Sequence, residues 1–151
     1  MVMRVRCFLV ILLSACLAGC ATPYLPGDMG GEDAAETQYS LGVSYLLGQG
    51  VRQNDHAAFS AFQRAASAGN PYAQAQLAFL YAAGRGVSRN PAMAFHWYEL
   101  AASHGLASAQ YNLGLLYLHG IGTPRNPDRA RELFRDAAEH GFEPARRMIE
   151  S

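Results

Sequence analysis

Residues 109–117 read Ala-Gln-Tyr-Asn-Leu-Gly-Leu-Leu-Tyr, and Gly-Ile-Gly follows at residues 120–122. Related stretches stand 36 and 72 residues earlier, and the three copies align without an insertion. The coinciding positions are Leu41, Leu77 and Leu113; Tyr45, Tyr81 and Tyr117; Gly48, Gly84 and Gly120; Gly50, Gly86 and Gly122; Asn54, Asn90 and Asn126; Ala58, Ala94 and Ala130; Gly69, Gly105 and Gly141. A fixed period of this length indicates an array of small structural units that pack side by side.

The turn signals within each unit predict two helices, which we call helix A and helix B. In the second unit, helix A is expected near residues 72–83 and helix B near residues 91–104. Gly84 suits the left-handed backbone conformation that ends many helices. Asn90 suits the position just before a helix, where its side chain accepts hydrogen bonds from free backbone amides. Each unit is therefore predicted to be a helical hairpin.

The apolar residues of each predicted helix fall on one stripe. In the second unit these residues are Gln74, Leu77, Ala78 and Tyr81 on helix A, and Ala94, Trp97, Tyr98, Ala101 and Ala102 on helix B. One hairpin cannot bury both of its faces, whereas stacked hairpins can. We therefore predict an all-α fold, an α-solenoid of three stacked antiparallel helical hairpins. The predicted repeats are residues 36–71, 72–107 and 108–143, and a short polar cap extends to residue 151.

The third unit resembles a known repeat. Residues 109–117, the glycines at 120 and 122, and the helix around Ala130 that ends at Gly141 are similar to the Sel-one-like repeat (SLR), a relative of the tetratricopeptide repeat. The resemblance covers residues 36–144 and implies an α-solenoid that binds other proteins, in bacteria often in envelope assembly, stress sensing or host contact. Cysteine-rich members of the family hold each hairpin with a disulfide. Because this chain has no cysteine after Cys20, activities proposed for those members, including penicillin binding, carry over poorly.

The N-terminus has the pattern of an export signal. Two arginines within residues 1–6 precede an apolar run at residues 7–19, which is shorter than the roughly 20 residues that a membrane-spanning helix needs. The residues Leu17-Ala18-Gly19-Cys20 resemble the lipobox of bacterial lipoproteins, which implies cleavage before Cys20 and lipidation of its thiol. The alternative, an ordinary secretory signal, would leave a free thiol in an oxidising compartment. We therefore predict a signal peptide at residues 1–19 and palmitate-type acylation of Cys20.

Residues 20–35 are predicted to be the lipidated Cys20 and a flexible tether. Residues 21–35 contain two prolines, three glycines and three acidic residues without a periodic apolar pattern. By resemblance to proteobacterial lipoproteins, Ala21 after the cysteine favours export to the outer membrane. The predicted location is the cell envelope, on the outer membrane and facing the periplasm.

The composition argues against several classes of function. Its 12 basic residues are all arginine and are balanced by 12 acidic residues, so the chain has no basic surface for a nucleic acid. The absence of lysine rules out a Walker phosphate loop and the Ser-x-x-Lys signature of penicillin-reacting enzymes, and no Gly-x-Ser-x-Gly motif occurs. We therefore expect no catalytic residues, no cofactor and no small-molecule substrate.

The titratable residues favour structural roles. The histidines lack the spacing of a helix-borne metal site; they are His56, His96, His104, His119 and His140. His104 and His140 share one repeat position at the end of helix B, where a cation is favourable. Glu132 and Asp136 are spaced as an acid and base pair would be, but arginines alternate with them, which favours an ion-paired, solvated helix face. No metal site is expected.

The side of helix A opposite its apolar stripe supplies the candidate binding site. We call it the inner row, and in the three units it comprises Glu36, Ser40, Val43 and Leu47; Tyr72, Gln76, Phe79 and Ala83; and Ser108, Asn112, Leu115 and His119. Mixed amide, aromatic and aliphatic groups suit a peptide-binding groove. The predicted partner-binding residues are Ser40, Tyr72, Gln76, Phe79, Asn112, Leu115 and His119. The alternative is that Val43, Phe79 and Leu115 are buried between neighbouring A helices.

These predictions together describe a membrane-anchored adaptor or scaffold of the bacterial cell envelope, which binds a protein partner on its concave helix A surface. Two other functions stay open at this point. One is a periplasmic cell-wall or penicillin-binding enzyme, and the other is a permanent structural subunit of an envelope complex.

Overall fold

The computed structural model of the protein describes residues 31–150. The predicted signal peptide, Cys20 and most of the predicted tether lie outside the described residues. Within residues 31–150 the chain forms seven helices and no strand: α1 (Gly31–Leu47), α2 (Asp55–Ser67), α3 (Pro71–Ala83), α4 (Pro91–Ser103), α5 (Ala107–His119), α6 (Pro127–Glu139) and α7 (Glu143–Glu150). Helices α1, α3 and α5 are the A helices, and α2, α4 and α6 are the B helices. The predicted all-α solenoid of three helical hairpins is confirmed.

The predicted helix ends are confirmed in atomic detail. Asn54, Asn90 and Asn126 each cap a B helix, and their side chains accept hydrogen bonds from backbone amides at 3.0–3.1 Å. Gly84 and Gly120 end α3 and α5 in the left-handed conformation, with φ of 70° and 67°. Both devices are local, since each satisfies backbone groups that a helix end leaves free.

Small residues on the A helices let the two helices of a hairpin approach closely. A Cβ atom at Gly42 would lie 2.7 Å from the ring of Phe62, and one at Gly114 would lie 2.6 Å from the ring of Phe134. Both rings are buried, with exposed fractions of 0% and 3%. The rings therefore occupy the space that a larger residue on helix A would need.

A second set of contacts joins each hairpin to the one before it. A Cβ atom at Gly86 would lie 2.1 Å from the backbone oxygen of Asp55, and one at Gly122 would lie 2.2 Å from that of Pro91. Arg85 donates two hydrogen bonds to the carboxylate of Asp55, at 2.7 and 3.1 Å. The loop between helices A and B therefore rests on the N-terminus of the preceding B helix.

The core continues along the array. Each helix packs mainly against the helices that precede and follow it in the chain. Trp97 lies against both the first and the second group of buried residues, as its place on the predicted stripe requires. At the C-terminal end, Ala145 of α7 is fully buried with Phe134 and Ala137 of α6, while Arg146 and Arg147 are exposed.

The start of the first helix corrects the tether boundary. We predicted a tether to residue 35, but α1 begins at Gly31. Ala35 is 5% exposed, and the hydroxyl of Thr37 donates to the backbone oxygen of Asp33 at 2.8 Å. Burial of a single small residue leaves no periodic pattern in the sequence. The additional helical turn at residues 31–35 could therefore not be predicted from it. None of the helices within residues 31–150 has the length and apolar character to span a membrane.

Candidate functional site

The structure brings three of the predicted partner-binding residues together. Gln76 and Phe79 of α3 face Asn112 of α5 across a groove of about 290 Å³ between the second and third A helices. We call this space the A-helix groove, and its lining is completed by Ala75, Tyr98 and Ser108. Gln76 and Asn112 are half-buried.

The other predicted residues lie outside the A-helix groove. Ser40 and His119 are exposed. Tyr72 is 55% exposed and packs against Tyr39, with ring centroids 6.1 Å apart. Leu115 is half-buried and contacts the core of the third hairpin. The inner row is therefore a surface of mixed exposure, and the A-helix groove is a concave site between its second and third units.

The three positions for which burial between the A helices was the alternative are all at least partly exposed. Val43 and Leu115 are half-buried against the core. Phe79 is different, because 43% of its surface is exposed beside the A-helix groove. An exposed aromatic ring next to two amide side chains is a combination that favours contact with another molecule.

The A-helix groove carries no formal charge. Its polar groups are the amides of Gln76 and Asn112, the hydroxyl of Ser108 and the phenol of Tyr98. Tyr98 is 6% exposed, and its burial raises the pKa of the phenol to about 12. The phenol is therefore neutral at physiological pH. These groups suit hydrogen bonds to a neutral ligand and provide no charged partner for an ionic one.

Sequence reasoning missed two lining residues, since Tyr98 was assigned to the core stripe and Ala75 to no site. Ser108 was placed on the inner row but was not among the predicted partner-binding residues. The repeat alignment contains the missing signal, because Ala75 stands where the other units have Tyr39 and Tyr111. A helical wheel drawn for each unit separately does not show this difference.

The titratable residues of the third hairpin form surface ion pairs. Arg129 contacts Glu132 at 2.7 Å and Arg131 contacts Asp128 at 3.0 Å, and all four side chains are exposed. The hydrogen bond to Glu132 raises the pKa of Arg129. The predicted ion-paired face is thus present on α6. Among the residues that the structure describes, no group of three or more His, Cys, Asp or Glu side chains is placed to hold a metal ion.

Comparison with known families identifies the repeat. The family model of the Sel1 repeat matches residues 35–70, 71–106 and 107–142. The chain belongs to the Sel1 repeat family. The predicted resemblance is confirmed, and the matched period of 36 residues is that of the sequence alignment. Proteins with Sel1 repeats are in general protein-interaction scaffolds and typically lack catalytic activity.

Solved structures of Sel1 repeat proteins share this fold. A Sel1 repeat protein from Oxalobacter formigenes is 41% identical, with a TM-score of 0.72, over 77% of this chain and 87% of that one. The protein c5321, a protective antigen present in uropathogenic Escherichia coli strains, displays an SLR fold and is 37% identical with a TM-score of 0.70. That match covers 71% of this chain and 23% of c5321, so this chain spans less than a quarter of the latter.

A third structure shows the fold alone. Cysteine rich protein B of Helicobacter pylori is 20% identical, with a TM-score of 0.66, over 78% of this chain and 88% of that one. This chain has no cysteine after Cys20, so packing without disulfides holds residues 31–150 in the same arrangement.

Proposed function

We propose that this Sel1 repeat protein is a lipid-anchored adaptor of the bacterial cell envelope, which binds an extended segment of a partner protein along its A helices. One observation carries the proposal: Phe79 is exposed beside Gln76 and Asn112, which face each other across the A-helix groove.

The chemistry of these three residues suits a polypeptide ligand. Each side-chain amide has both a donor and an acceptor, so Gln76 and Asn112 can pair with the N–H and C=O groups of an extended chain. Phe79 adds apolar surface that a partner side chain would cover. Aromatic residues carry much of the binding energy in protein interfaces, whereas a polar surround fixes orientation.

The membrane anchor rests on the sequence alone. Burial of acyl chains contributes about 0.8 kcal/mol per methylene, so the two or three chains of a lipidated Cys20 would hold the protein on a bilayer. The residues between Cys20 and α1 would let the repeats stand off the membrane. With Ala21 after the cysteine, the proposed location is the outer membrane, with the repeats facing the periplasm.

A photocrosslinking amino acid at position 79 tests the adaptor function in intact cells. The expected result is a discrete crosslinked product, because Phe79 lies beside the proposed partner site. The control is the same amino acid at Arg135, which is exposed on α6, away from the inner row. Substitution of both Gln76→Ala and Asn112→Ala should reduce the product from position 79 while leaving the melting temperature nearly unchanged, since surface changes rarely exceed about 0.5 kcal/mol.

Four results would overturn the adaptor function. One is equal crosslinking from positions 79 and 135, and another is an undiminished product in the double variant. The third is a stable large complex of the whole cellular pool in size exclusion of detergent extracts, which would favour a permanent structural subunit. Labelling of the purified protein with radioactive penicillin would favour the enzyme instead.

A further inference from the structure

Aromatic side chains lie between the first and second A helices. Tyr39 of α1 lies 5.9 Å from Phe62 of α2, measured between ring centroids, and 6.1 Å from Tyr72 of α3. Tyr39 thus covers the B-helix ring of its own hairpin and contacts the next A helix as well.

The third hairpin repeats this arrangement. Tyr111 of α5 lies 5.5 Å from Phe134 of α6 and 5.3 Å from Phe142, which precedes α7. A tyrosine at this position of helix A therefore covers the aromatic residue of helix B and reaches the following element in both end hairpins.

The middle hairpin lacks these rings. Its residue equivalent to Tyr39 and Tyr111 is Ala75, and the residue of the next unit equivalent to Tyr72 is Ser108. Tyr98 stands in the position of Phe62 and Phe134. Ala75, Tyr98 and Ser108 all line the A-helix groove. The groove lies at the junction of the second and third hairpins. Its position is the one that Tyr39 and Tyr72 occupy at the junction of the first and second hairpins.

We infer that the A-helix groove receives one aromatic side chain from an extended, uncharged segment of the partner, which replaces the ring that Ala75 lacks. This inference rests on the proposed function and specifies its ligand. The lining has no formal charge, which complements a neutral ring. A volume of about 290 Å³ lies at the small end of ligand pockets, which span roughly 300–1,000 Å³, and suits one side chain. Tyr98 and Phe79 both line the groove, so a ring bound there would have aromatic neighbours, and pairs of aromatic rings attract each other.

Amino acid amides serve as probes of the groove on the full-length protein. N-acetyl-tyrosine amide, N-acetyl-leucine amide and N-acetyl-alanine amide are titrated separately, and the NMR signals of Ala75 and Ser108 are followed. We expect saturable shifts with the tyrosine amide and binding about tenfold weaker for the alanine amide, a difference of about 1.4 kcal/mol, because only the tyrosine ring gains both burial and an aromatic pair. The leucine amide should bind between the two.

Two tyrosine substitutions provide the decisive comparison. Ala75→Tyr places in the groove the residue that stands at this position in the other hairpins, so it should fold normally and abolish the shift at Ser108. Ala92→Tyr adds the same side chain at an exposed position of α4 outside both the groove and the inner row, and it should bind the probe as the wild type does.

The possible outcomes separate this inference from the proposed function. Absence of a saturable shift, equal binding of the leucine and tyrosine amides, or unchanged binding by Ala75→Tyr would each overturn the aromatic site. If the Ala75→Tyr variant unfolds, the presence or absence of a saturable shift at Ser108 in the wild type still tests the aromatic site. The crosslink from position 79 tests the adaptor function independently, because it requires a partner at the surface and not a ring in the groove.

Discussion

Phe79 lies in the middle of α3, a helix that also contains the fully buried Leu77 and Leu80, yet 43% of its own surface is exposed. The helix turns about 100° per residue, so positions 77 and 80 face the core while position 79 faces outward. Its location beside Gln76 and Asn112 makes this partly exposed ring the basis of the proposed partner site.

Substitution of this ring by a carboxylate separates binding from folding. Phe79→Glu should abolish the partner interaction and lower the free energy of unfolding by no more than about 1 kcal/mol, because the new charge stays hydrated. Thermal melting is measured first and partner capture second.

The matched control is the same substitution at a buried ring. Phe62→Glu places a charge at a position that is 0% exposed and should unfold the first hairpin, at a cost of several kcal/mol. Equal losses of stability at positions 62 and 79 would show that the A helices pack over Phe79.

At the scale of the helices, each junction between hairpins depends on the second glycine of the Gly-x-Gly loop in the later hairpin, which is Gly86 or Gly122. Gly50, Gly86 and Gly122 all have positive φ, between 67° and 72°. Only Gly86 and Gly122 lie against the B helix of a preceding hairpin. In the first hairpin, a Cβ atom at Gly50 would have no neighbour within 4 Å, so the three glycines share a backbone conformation but differ in their surroundings.

This difference provides a matched pair of variants. Gly50→Ala should lower the free energy of unfolding by about 1–2 kcal/mol, the cost of a Cβ atom in the left-handed region. Gly86→Ala carries the same cost and also forces the loop away from Asp55, which should add about 1–3 kcal/mol. Chemical denaturation of both variants measures the difference. Equal destabilisation would mean that the loop of the second hairpin does not rest on α2 in solution.

The salt bridge in this junction contributes less than the close contact does. Arg85 and Asp55 have side chains that are 36% and 34% exposed, and partly exposed ion pairs contribute little to stability. The equivalent residues at the next junction are Ile121 and Pro91, which form no ion pair. The glycine is therefore the element common to both junctions, and the ion pair is an addition to one of them.

At the scale of the whole molecule, the proposed attachment to the membrane depends on Cys20, which lies outside the described residues. Cys20→Ala should abolish incorporation of radioactive palmitate, because the mature chain has no other cysteine to accept the lipid. The variant should accumulate as uncleaved or mislocalised protein, which cell fractionation detects. Its repeats should melt as in the wild type, and a variant that still incorporates palmitate would contradict the lipoprotein prediction.

The parts of the molecule that the sequence predicted are those set by local patterns. Asn90 before a helix and Gly84 after one act on backbone groups within a few residues, so their roles follow from position alone. The positions of Gln76, Phe79 and Asn112 follow from helical periodicity. By contrast, the contact of Gly86 with Asp55 depends on how one hairpin packs against another. No local sequence pattern predicts this packing. Ala75 was overlooked for a related reason, because its role becomes visible only in comparison with Tyr39 and Tyr111 at the equivalent positions of the other hairpins.

The packing of each helix mainly against its neighbours in the chain also bears on how the protein acquires its structure. Contacts between residues close in sequence need only short loops to close, so little chain entropy is lost at each step, and chains of this kind fold fast. The first two hairpins can associate once α4 is available, while the third is still unstructured. The chain can therefore fold from its N-terminus in successive additions of one hairpin.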